Sequence, residues 1–171
     1  MQTIRLIDLD AELVQVLAGG PEAFARRFGA SLGECGGLVR EVVYQTASLY
    51  QRVPRDPPWI GYLTVGAGDV VVGTCGFTSA PTVDGSVEIA YFTFPPMERR
   101  GYGTAMASAL IEIAGESGRV RRAIAYTLPQ ANASTRILQR VGMLFGGEIQ
   151  HPEDGTVWLW ERILQPVFVR A

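Results

Sequence analysis

The segment Arg99-Arg100-Gly101-Tyr102-Gly103-Thr104 has the residue types and spacing in this chain that are best suited to chemistry. Its glycines let the backbone turn so that several N–H groups point at one spot, and the helix that follows adds unpaired donors and partial positive charge. Such a turn binds phosphate, and the adjacent Arg99 and Arg100 can hold a pyrophosphate. The structural alternative is that the glycines serve only the geometry of a strand-to-helix turn.

The turn needs a strand before it and a helix after it, and the hydrophobic pattern predicts both. Residues 87–94 read as a strand, and apolar residues recur on one face of a helix over residues 101–117. The segment Gly66-Ala67-Gly68 and the Asp84-Gly85 pair predict turns that join three consecutive antiparallel strands. The predicted strands cover 3–7, 59–65, 69–77, 87–94, 122–127, 143–149 and 156–163, and the predicted helices cover 10–17, 21–28, 38–50, 101–117 and 131–141. This order predicts an α+β fold with a mixed sheet and helices on both faces.

Length and charge limit the classes of protein to which the chain can belong. With 171 residues, 47% of them hydrophobic, we expect a single domain over residues 1–171. Fifteen basic and 17 acidic residues give a net charge of −2, which argues against a nucleic-acid partner. A local basic cluster remains and is expected to suit a small polyanion; it consists of Arg99, Arg100, Arg119, Arg121 and Arg122.

The cysteines and the N-terminus argue against further classes of protein. Cys35 and Cys75 are the two cysteines, and no metal-ligand spacing surrounds them, so we expect neither a disulfide framework nor a metal site. The N-terminus lacks the apolar core of a signal peptide, and no apolar run approaches 18 residues. These patterns predict a cytoplasmic protein without a membrane partner.

Three motifs make the chain resemble the GCN5-related N-acetyltransferase (GNAT) family, whose members move acetyl groups from acetyl-coenzyme A (acetyl-CoA). They are Val87-Glu88-Ile89-Ala90-Tyr91, then Arg100-Gly101-Tyr102-Gly103-Thr104-Ala105, and Asn132-Ala133-Ser134 followed by Ile137-Leu138 and Val141-Gly142-Met143. More narrowly, the chain is similar to the branch that acetylates the N-termini of ribosomal proteins. The match implies an acetyl-CoA-binding core at 59–163, a variable acceptor-side front end at 1–58 and a tail at 164–171.

The resemblance also implies the fold around the cosubstrate. The family's sheet is twisted and mostly antiparallel, and its fourth and fifth strands, here residues 88–94 and 122–127, splay apart to receive the thioester. Backbone groups of Tyr91, Phe92, Thr93 and Phe94 are implied to pair with the pantetheine arm. A backbone N–H freed there by a bulge is the expected donor to the tetrahedral oxyanion.

Three positions depart from the family's pattern. Glu98 takes the first place in the family's phosphate-loop motif Gln/Arg-x-x-Gly-x-Gly/Ala, in which backbone N–H groups make most of the contacts. Leu138 stands where members commonly carry a tyrosine that acts as general acid toward the leaving thiolate, and Met143 replaces the usual phenylalanine. Ser134 therefore becomes the leading candidate for the acid, with Tyr91 and Tyr126 as alternatives.

Glu88 is the predicted general base for the amine. It lies in an otherwise apolar strand, thirteen residues before Gly101, which would place it at the far end of the cosubstrate from the pyrophosphate. Burial would raise its pKa from about 4.3 toward neutrality, as such a base requires. The structural alternative is a glutamate that faces solvent or pairs with an arginine on a neighbouring strand.

Asn132 and Ser134 each have two interpretations, and a third polar residue, His151, has one. Asn132 and Ser134 begin a predicted helix, so either can be a simple N-cap. By resemblance, Asn132 contacts the pantetheine arm and Ser134 protonates the thiolate. His151, the single histidine, precedes Pro152 in a turn and is expected to be an exposed loop residue.

Together these residues predict an N-acetyltransferase in which a primary amine, either a protein N-terminus or a small amine, attacks acetyl-CoA directly in a ternary complex. The alternative is a non-catalytic module of the same fold that senses acyl-CoA or binds another protein. A nucleotide site is disfavoured, because the loop lacks both the Gly-Lys-Ser/Thr ending and the Gly-x-Gly-x-x-Gly spacing. The final hairpin and the apolar residues 167–169 are the candidates for a homodimer contact.

Overall fold

A computed structural model describes residues 1–164, and these contain a seven-stranded sheet in the order β1-β2-β3-β4-β5-β7-β6. All neighbouring strands are antiparallel except β4 and β5, which run parallel. In chain order the elements are β1 (Arg5–Asp8), α1 (Ala11–Ala18), α2 (Pro21–Phe28), α3 (Gly36–Arg52), β2 (Gly61–Val65), β3 (Val71–Phe77), β4 (Ser86–Thr93), α4 (Tyr102–Glu116), β5 (Arg122–Thr127), α5 (Ala133–Arg140), β6 (Leu144–His151) and β7 (Gly155–Ile163). The predicted mixed, mostly antiparallel sheet is confirmed. The apolar residues 167–169 lie outside the described residues.

The helices begin and end where local capping chemistry allows. The side chain of Asp10 accepts a hydrogen bond from Leu13 N at 2.9 Å and starts α1, as its position before the apolar periodicity predicts. Gly29 adopts a left-handed conformation (φ 61°) and ends α2. Asn132 and Thr135 form a reciprocal capping box at the start of α5. Predicted and observed helix ends differ by at most two residues, and α3 is an example of this largest difference.

Two hydrophobic cores lie on opposite faces of the sheet. On one face, Val87 and Ile89 of β4 and Ala123 of β5 are buried together with Met106 and Leu110 of α4. On the other face, Leu13, Val39 and Val43 from α1 and α3 are buried together with Ile7 of β1 and Leu63 of β2. The prediction of helices on both faces is thereby confirmed. No helix within residues 1–164 is both long and apolar enough to cross a membrane.

Strands β4 and β5 pair over only a short length. Ser86, Val87 and Glu88 pair with Arg122, Ala123 and Ile124, respectively, and the pairing ends there. Beyond Glu88, β4 continues to Thr93 against β3, while β5 continues to Thr127 against β7. The two strands therefore splay apart after Glu88, as predicted, and among residues 1–164 the second half of β4 has no strand partner on this edge.

Candidate active site

The loop between β4 and α4 presents a run of free backbone donors. Arg99 (φ 63°) and Gly101 (φ 86°) adopt left-handed conformations, and Ala105 N donates to Gly101 O to begin the helix. Among the described residues, none of the N–H groups from Arg99 to Thr104 has a protein acceptor. Consecutive donors of this kind, at the positive end of a 15-residue helix, are suited to a phosphate oxygen. The loop thus has the geometry that the phosphate prediction requires.

A groove of about 560 Å³ runs from this loop along β4 to α5. Nine of the predicted site residues line it, namely Tyr91, Phe92, Thr93, Arg99, Gly101, Tyr102, Gly103, Thr104 and Ser134. The predicted site residues Glu88, Phe94, Arg100 and Asn132 are outside its lining. Its depth depends on a close approach of α4 and α5, because a Cβ on Gly103 would lie 2.7 Å from Ile137 Cδ1.

Two aromatic residues of the predicted site point away from the groove. The ring of Tyr102 is buried, and its hydroxyl accepts a hydrogen bond from Ala67 N at 3.2 Å, so Tyr102 offers the groove only its backbone. The side chain of Phe94 is fully buried, and its N–H donates to Val72 O at 2.9 Å. The backbone N–H of Phe94 is therefore occupied within the sheet.

The free edge of β4 offers alternate rather than consecutive backbone groups. Phe94 N bonds to β3 and Glu88 O accepts from Thr78 N, so even-numbered residues of β4 face β3. Tyr91 and Thr93, the odd-numbered residues beyond the splay, therefore direct their N–H and C=O groups toward the gap. The expectation of a bulge there is wrong, because β4 keeps an unbroken register against β3 from Ile89 to Thr93. The splay itself frees the Tyr91 N–H.

Arg136 and Arg140 add positive charge to the groove and were missed by the sequence analysis. Their spacing of four residues on α5 is the signal that could have found them, since it places both on one helix face. The predicted basic cluster is wrong in part. Arg122 donates a hydrogen bond to Ser86, the first residue of β4, and pairs with Glu161 at 3.1 Å. Arg122 therefore lies beside the start of β4, roughly 20 Å along the strand from Thr93.

Asn132 and Ser134, at the start of α5, have different roles in the structure. The side-chain oxygen of Asn132 accepts from Thr135 N at 3.0 Å, so Asn132 is the helix cap that the structural alternative predicts. Ser134 lines the groove, and Tyr91 donates from its hydroxyl to Ser134 O at 3.4 Å. Burial raises the pKa of the Tyr91 phenol. Leu138, at the family's tyrosine position, is buried in the core, so its side chain cannot reach the groove.

Glu88 lies at the point where β4 and β5 separate. Its Oε2 accepts a hydrogen bond from Thr78 Oγ1 at 3.0 Å. Burial raises the pKa of Glu88 above its usual value, while the Thr78 hydroxyl and nearby His151 work in the opposite direction. A raised pKa is what a general base near neutral pH requires.

His151 belongs to the same neighbourhood, and the expectation of an exposed loop residue is wrong. It is the last residue of β6, its side chain is 21% exposed, and its ring lies 5.0 Å from that of Tyr126 in an edge-on contact. Its Nδ1 accepts hydrogen bonds from the N–H groups of Glu153 and Asp154. Only the antiparallel pairing of β6 with β7, and of β7 with β5, brings it near Glu88.

A second cavity, which we call the α3 cavity, lies on the opposite face of β4. It measures about 360 Å³, lies between α3 and strands β3 and β4, and shares Tyr91 and Phe92 with the groove. Thr78, the hydrogen-bond donor to Glu88, lines it. Glu88 is thus adjacent to the α3 cavity, and this cavity meets the groove at Tyr91 and Phe92 in the free half of β4. Within residues 1–164, no group of three or more His, Cys, Asp or Glu side chains is arranged to hold a metal ion.

The gap between β4 and β5 and the free N–H groups of the loop before α4 are together typical of a class of protein that binds a long anionic ligand between two splayed strands. The family model described as "Acetyltransferase (GNAT) domain" matches residues 3–144. The chain belongs to this family and is an N-acetyltransferase, so the predicted activity is confirmed. The alternative of a non-catalytic module is not supported.

Solved structures share the fold at low sequence identity. The ribosomal L7/L12 alpha-N-protein acetyltransferase RimL in complex with coenzyme A is 18% identical, with 96% of each chain covered and a TM-score of 0.65. An acetyltransferase from Salmonella typhimurium that modifies the N-terminal serine of ribosomal protein L7/L12 is 17% identical, with 96% of this chain and 97% of that chain covered and a TM-score of 0.65. The microcin C7 self-immunity acetyltransferase MccE, in complex with acetyl-CoA and AMP, is 15% identical, with coverages of 94% and 92% and a TM-score of 0.64. No curated protein matches the chain significantly in sequence.

Proposed function

We propose that this N-acetyltransferase moves the acetyl group of acetyl-CoA to the N-terminal amine of a peptide or protein, by direct attack in a ternary complex. The observation that carries the proposal is the juxtaposition of the groove, the free half of β4 and Glu88. The groove suits a long anionic cosubstrate, and Glu88 lies where β4 and β5 separate. The structural relatives that modify the N-terminus of L7/L12 support a peptide acceptor.

The residues of the groove fit the chemistry of coenzyme A. The free N–H groups from Gly101 to Thr104, with Arg99, would hold the pyrophosphate, and Arg136 and Arg140 would pair with further phosphate charge. The free N–H and C=O groups of Tyr91 and Thr93 would bond to the amides of the pantetheine arm, with Asn132 and Arg100 as further predicted contacts. The cosubstrate supplies an activated thioester when bound.

The chain's own groups would handle the protons. Glu88 would accept a proton from the acceptor amine, directly or through water, and its raised pKa favours this role near neutral pH. The N–H of Tyr91 is the donor best suited to an oxyanion at the splay. Ser134 would donate a proton to the leaving thiolate, and the neighbouring hydroxyl of Tyr91 is the alternative.

Several finer predictions belong to this proposal. We propose one domain over residues 1–171, in which residues 1–58 serve the acceptor and residues 59–163 serve acetyl-CoA, followed by a tail at 164–171. We also propose a cytoplasmic location. A homodimer through the final hairpin stays a prediction, for which Leu144, Phe145 and Ile163 offer exposed apolar side chains.

The proposal is tested by separating ligand binding from turnover. Thermal unfolding is measured with acetyl-CoA, coenzyme A, ATP and NAD in parallel. A ligand present at about a hundred times its Kd stabilises the protein by about 2.7 kcal/mol, which corresponds to a rise in Tm of roughly 5–10 °C for a domain of this size. Thiol release is then measured with peptide amines for the wild type and for Glu88→Gln.

The proposal expects the two coenzyme A forms to raise Tm in both proteins. It also expects Glu88→Gln to lower kcat by about 10²- to 10⁴-fold, which is the usual contribution of a general base. An unchanged Tm with both coenzyme A forms would contradict the assignment of the groove. Wild-type turnover by Glu88→Gln across a full pH series would remove Glu88 from the mechanism.

A further inference from the structure

The α3 cavity lies on the same face of β4 as the side chain of Glu88. Successive side chains of a strand alternate between faces, so Glu88, Ala90 and Phe92 share one face. Ala90 and Phe92 line the cavity, and Thr78, which donates to Glu88, lines its neighbouring wall. An amine beside the Glu88 carboxylate would therefore direct its substituent along Ala90 into this cavity.

The walls of the cavity are mainly apolar. Val42 and Leu49 line it from α3, and Ala90 and Phe92 line it from the sheet. Its volume of about 360 Å³ is at the small end of the range for ligand sites. This space suits one or two residue-sized groups that gain free energy by leaving water.

The charge that lines the cavity is positive, which is unfavourable for a polycation. Among the described residues that line it, Arg55 is the one charged side chain. Its guanidinium donates to Phe77 O at 3.1 Å and also to Thr78 O, and lies 5.6 Å from the centre of the Tyr50 ring. These contacts fix the cation in place. A polyamine or an aminoglycoside would meet this positive charge and find no lining carboxylate for its additional ammonium groups.

We propose that the α3 cavity is the acceptor pocket and that it selects a monoamine with an apolar substituent, such as a peptide that begins with an apolar residue. The inference rests on the proposed function and adds a substrate class to it. The amine lies beside Glu88, the first side chain contacts Val42 and Leu49, and Arg55 disfavours acceptors with further positive charge.

The test compares acceptors that differ in one property. Tetrapeptide amides with Leu, Ser, Asp or Lys in the first position and a common remainder are assayed beside spermidine. Two quantities are measured for each acceptor: kcat/KM with acetyl-CoA, and Kd by calorimetry in the presence of coenzyme A. A side chain that fits an apolar pocket changes specificity by about tenfold or more. We therefore expect the Leu peptide to exceed the Lys peptide and spermidine by at least about tenfold in both quantities.

Two matched variants place a carboxylate on the same helix. Leu49→Glu introduces it into the cavity wall, while Ser48→Glu introduces it at the neighbouring exposed position outside the lining. We expect Leu49→Glu to reverse or abolish the preference for the Leu peptide, and Ser48→Glu to keep it. Thermal unfolding with coenzyme A reports whether both variants remain folded and retain the groove.

The outcomes distinguish this inference from the proposed function. Equal or better use of spermidine by the wild type, or the same selectivity in both variants, overturns the apolar pocket. Binding of the Leu peptide that Leu49→Glu abolishes, without acetylation of any amine, supports the pocket and contradicts the proposed function. Failure of every apolar peptide to bind, in a protein that coenzyme A stabilises, overturns the pocket.

Discussion

Thr78 Oγ1 donates a hydrogen bond of 3.0 Å to Glu88 Oε2, between residues on neighbouring strands. The backbone reinforces this contact, because Thr78 N donates to Glu88 O at 3.1 Å. Arg55 in turn donates to the carbonyl of Thr78. The carboxylate of Glu88 is thus oriented by a residue that is itself held on two sides. A hydroxyl that donates to a carboxylate favours the ionised form, so it lowers the pKa of Glu88 against the effect of burial.

Removal of the Thr78 hydroxyl is expected to move the pH profile of the enzyme. Thr78→Val deletes a hydrogen bond that lowers the pKa of Glu88, so that pKa rises further. The acidic limb of kcat/KM, which reports deprotonation of the free enzyme's base, then moves to higher pH. Thr78→Ser keeps the hydroxyl and is expected to keep the wild-type limb. An acidic limb at the same pH in all three proteins would separate Glu88 from the observed titration.

Glu88→Gln is expected to stabilise the protein at neutral pH. Because the folded state raises the pKa of Glu88, it binds more protons than the unfolded chain between the ordinary carboxylate pKa and the raised one. The free energy of unfolding of the wild type therefore falls as pH rises through that window, and the cost persists above it. The amide does not ionise. The Tm of Glu88→Gln should exceed that of the wild type at pH 7, and this difference should shrink below pH 4; a constant difference would contradict the assignment.

Gly101→Ala is expected to weaken binding of acetyl-CoA beyond its effect on stability. Gly101 has φ 86°, and a Cβ there would meet only Gln2 Cγ at 3.6 Å, so the cost comes from the backbone conformation, about 1–2 kcal/mol. Gly118→Ala is the matched control, with φ 66° and open space around the added Cβ. Both variants should lose Tm. Calorimetry should show a loss of affinity of about tenfold or more only for Gly101→Ala, because its free N–H groups shift.

Arg136→Gln and Arg140→Gln are expected to lower the affinity for acetyl-CoA, each by about tenfold, since a hydrogen bond to a charged group contributes about 1.5–3 kcal/mol. Both side chains line the groove. Arg26→Gln, on the exposed surface of α2, is the charge-matched control and should leave Kd unchanged. The titrations are repeated at rising salt, where the difference between wild type and variants should narrow as screening grows. Equal Kd values in all variants would exclude these arginines from the binding site.

Local sequence determined the elements and the turn. Apolar periodicity predicted β2 to β7 and α1 to α5 closely, because it reflects which face each segment buries. Asp10 and Asn132 marked helix starts, because a cap acts within three residues of itself. The free donors at Gly101 likewise follow from a glycine placed directly before a helix. The apolar strand around Glu88 predicted a special role for this residue, because a carboxylate is costly in such surroundings.

Tertiary structure decided which distant residues share the site. Arg136 joins the groove and Arg122 does not, because sheet order sets Arg122 at the opposite end of β4. His151 reaches the surroundings of Glu88 only through two successive strand pairings. The expected bulge is replaced by a splay, which depends on how far β4 and β5 follow separate partners. Caps and periodicity act within a few residues, whereas these relationships join residues tens of positions apart and exist only once the sheet has formed.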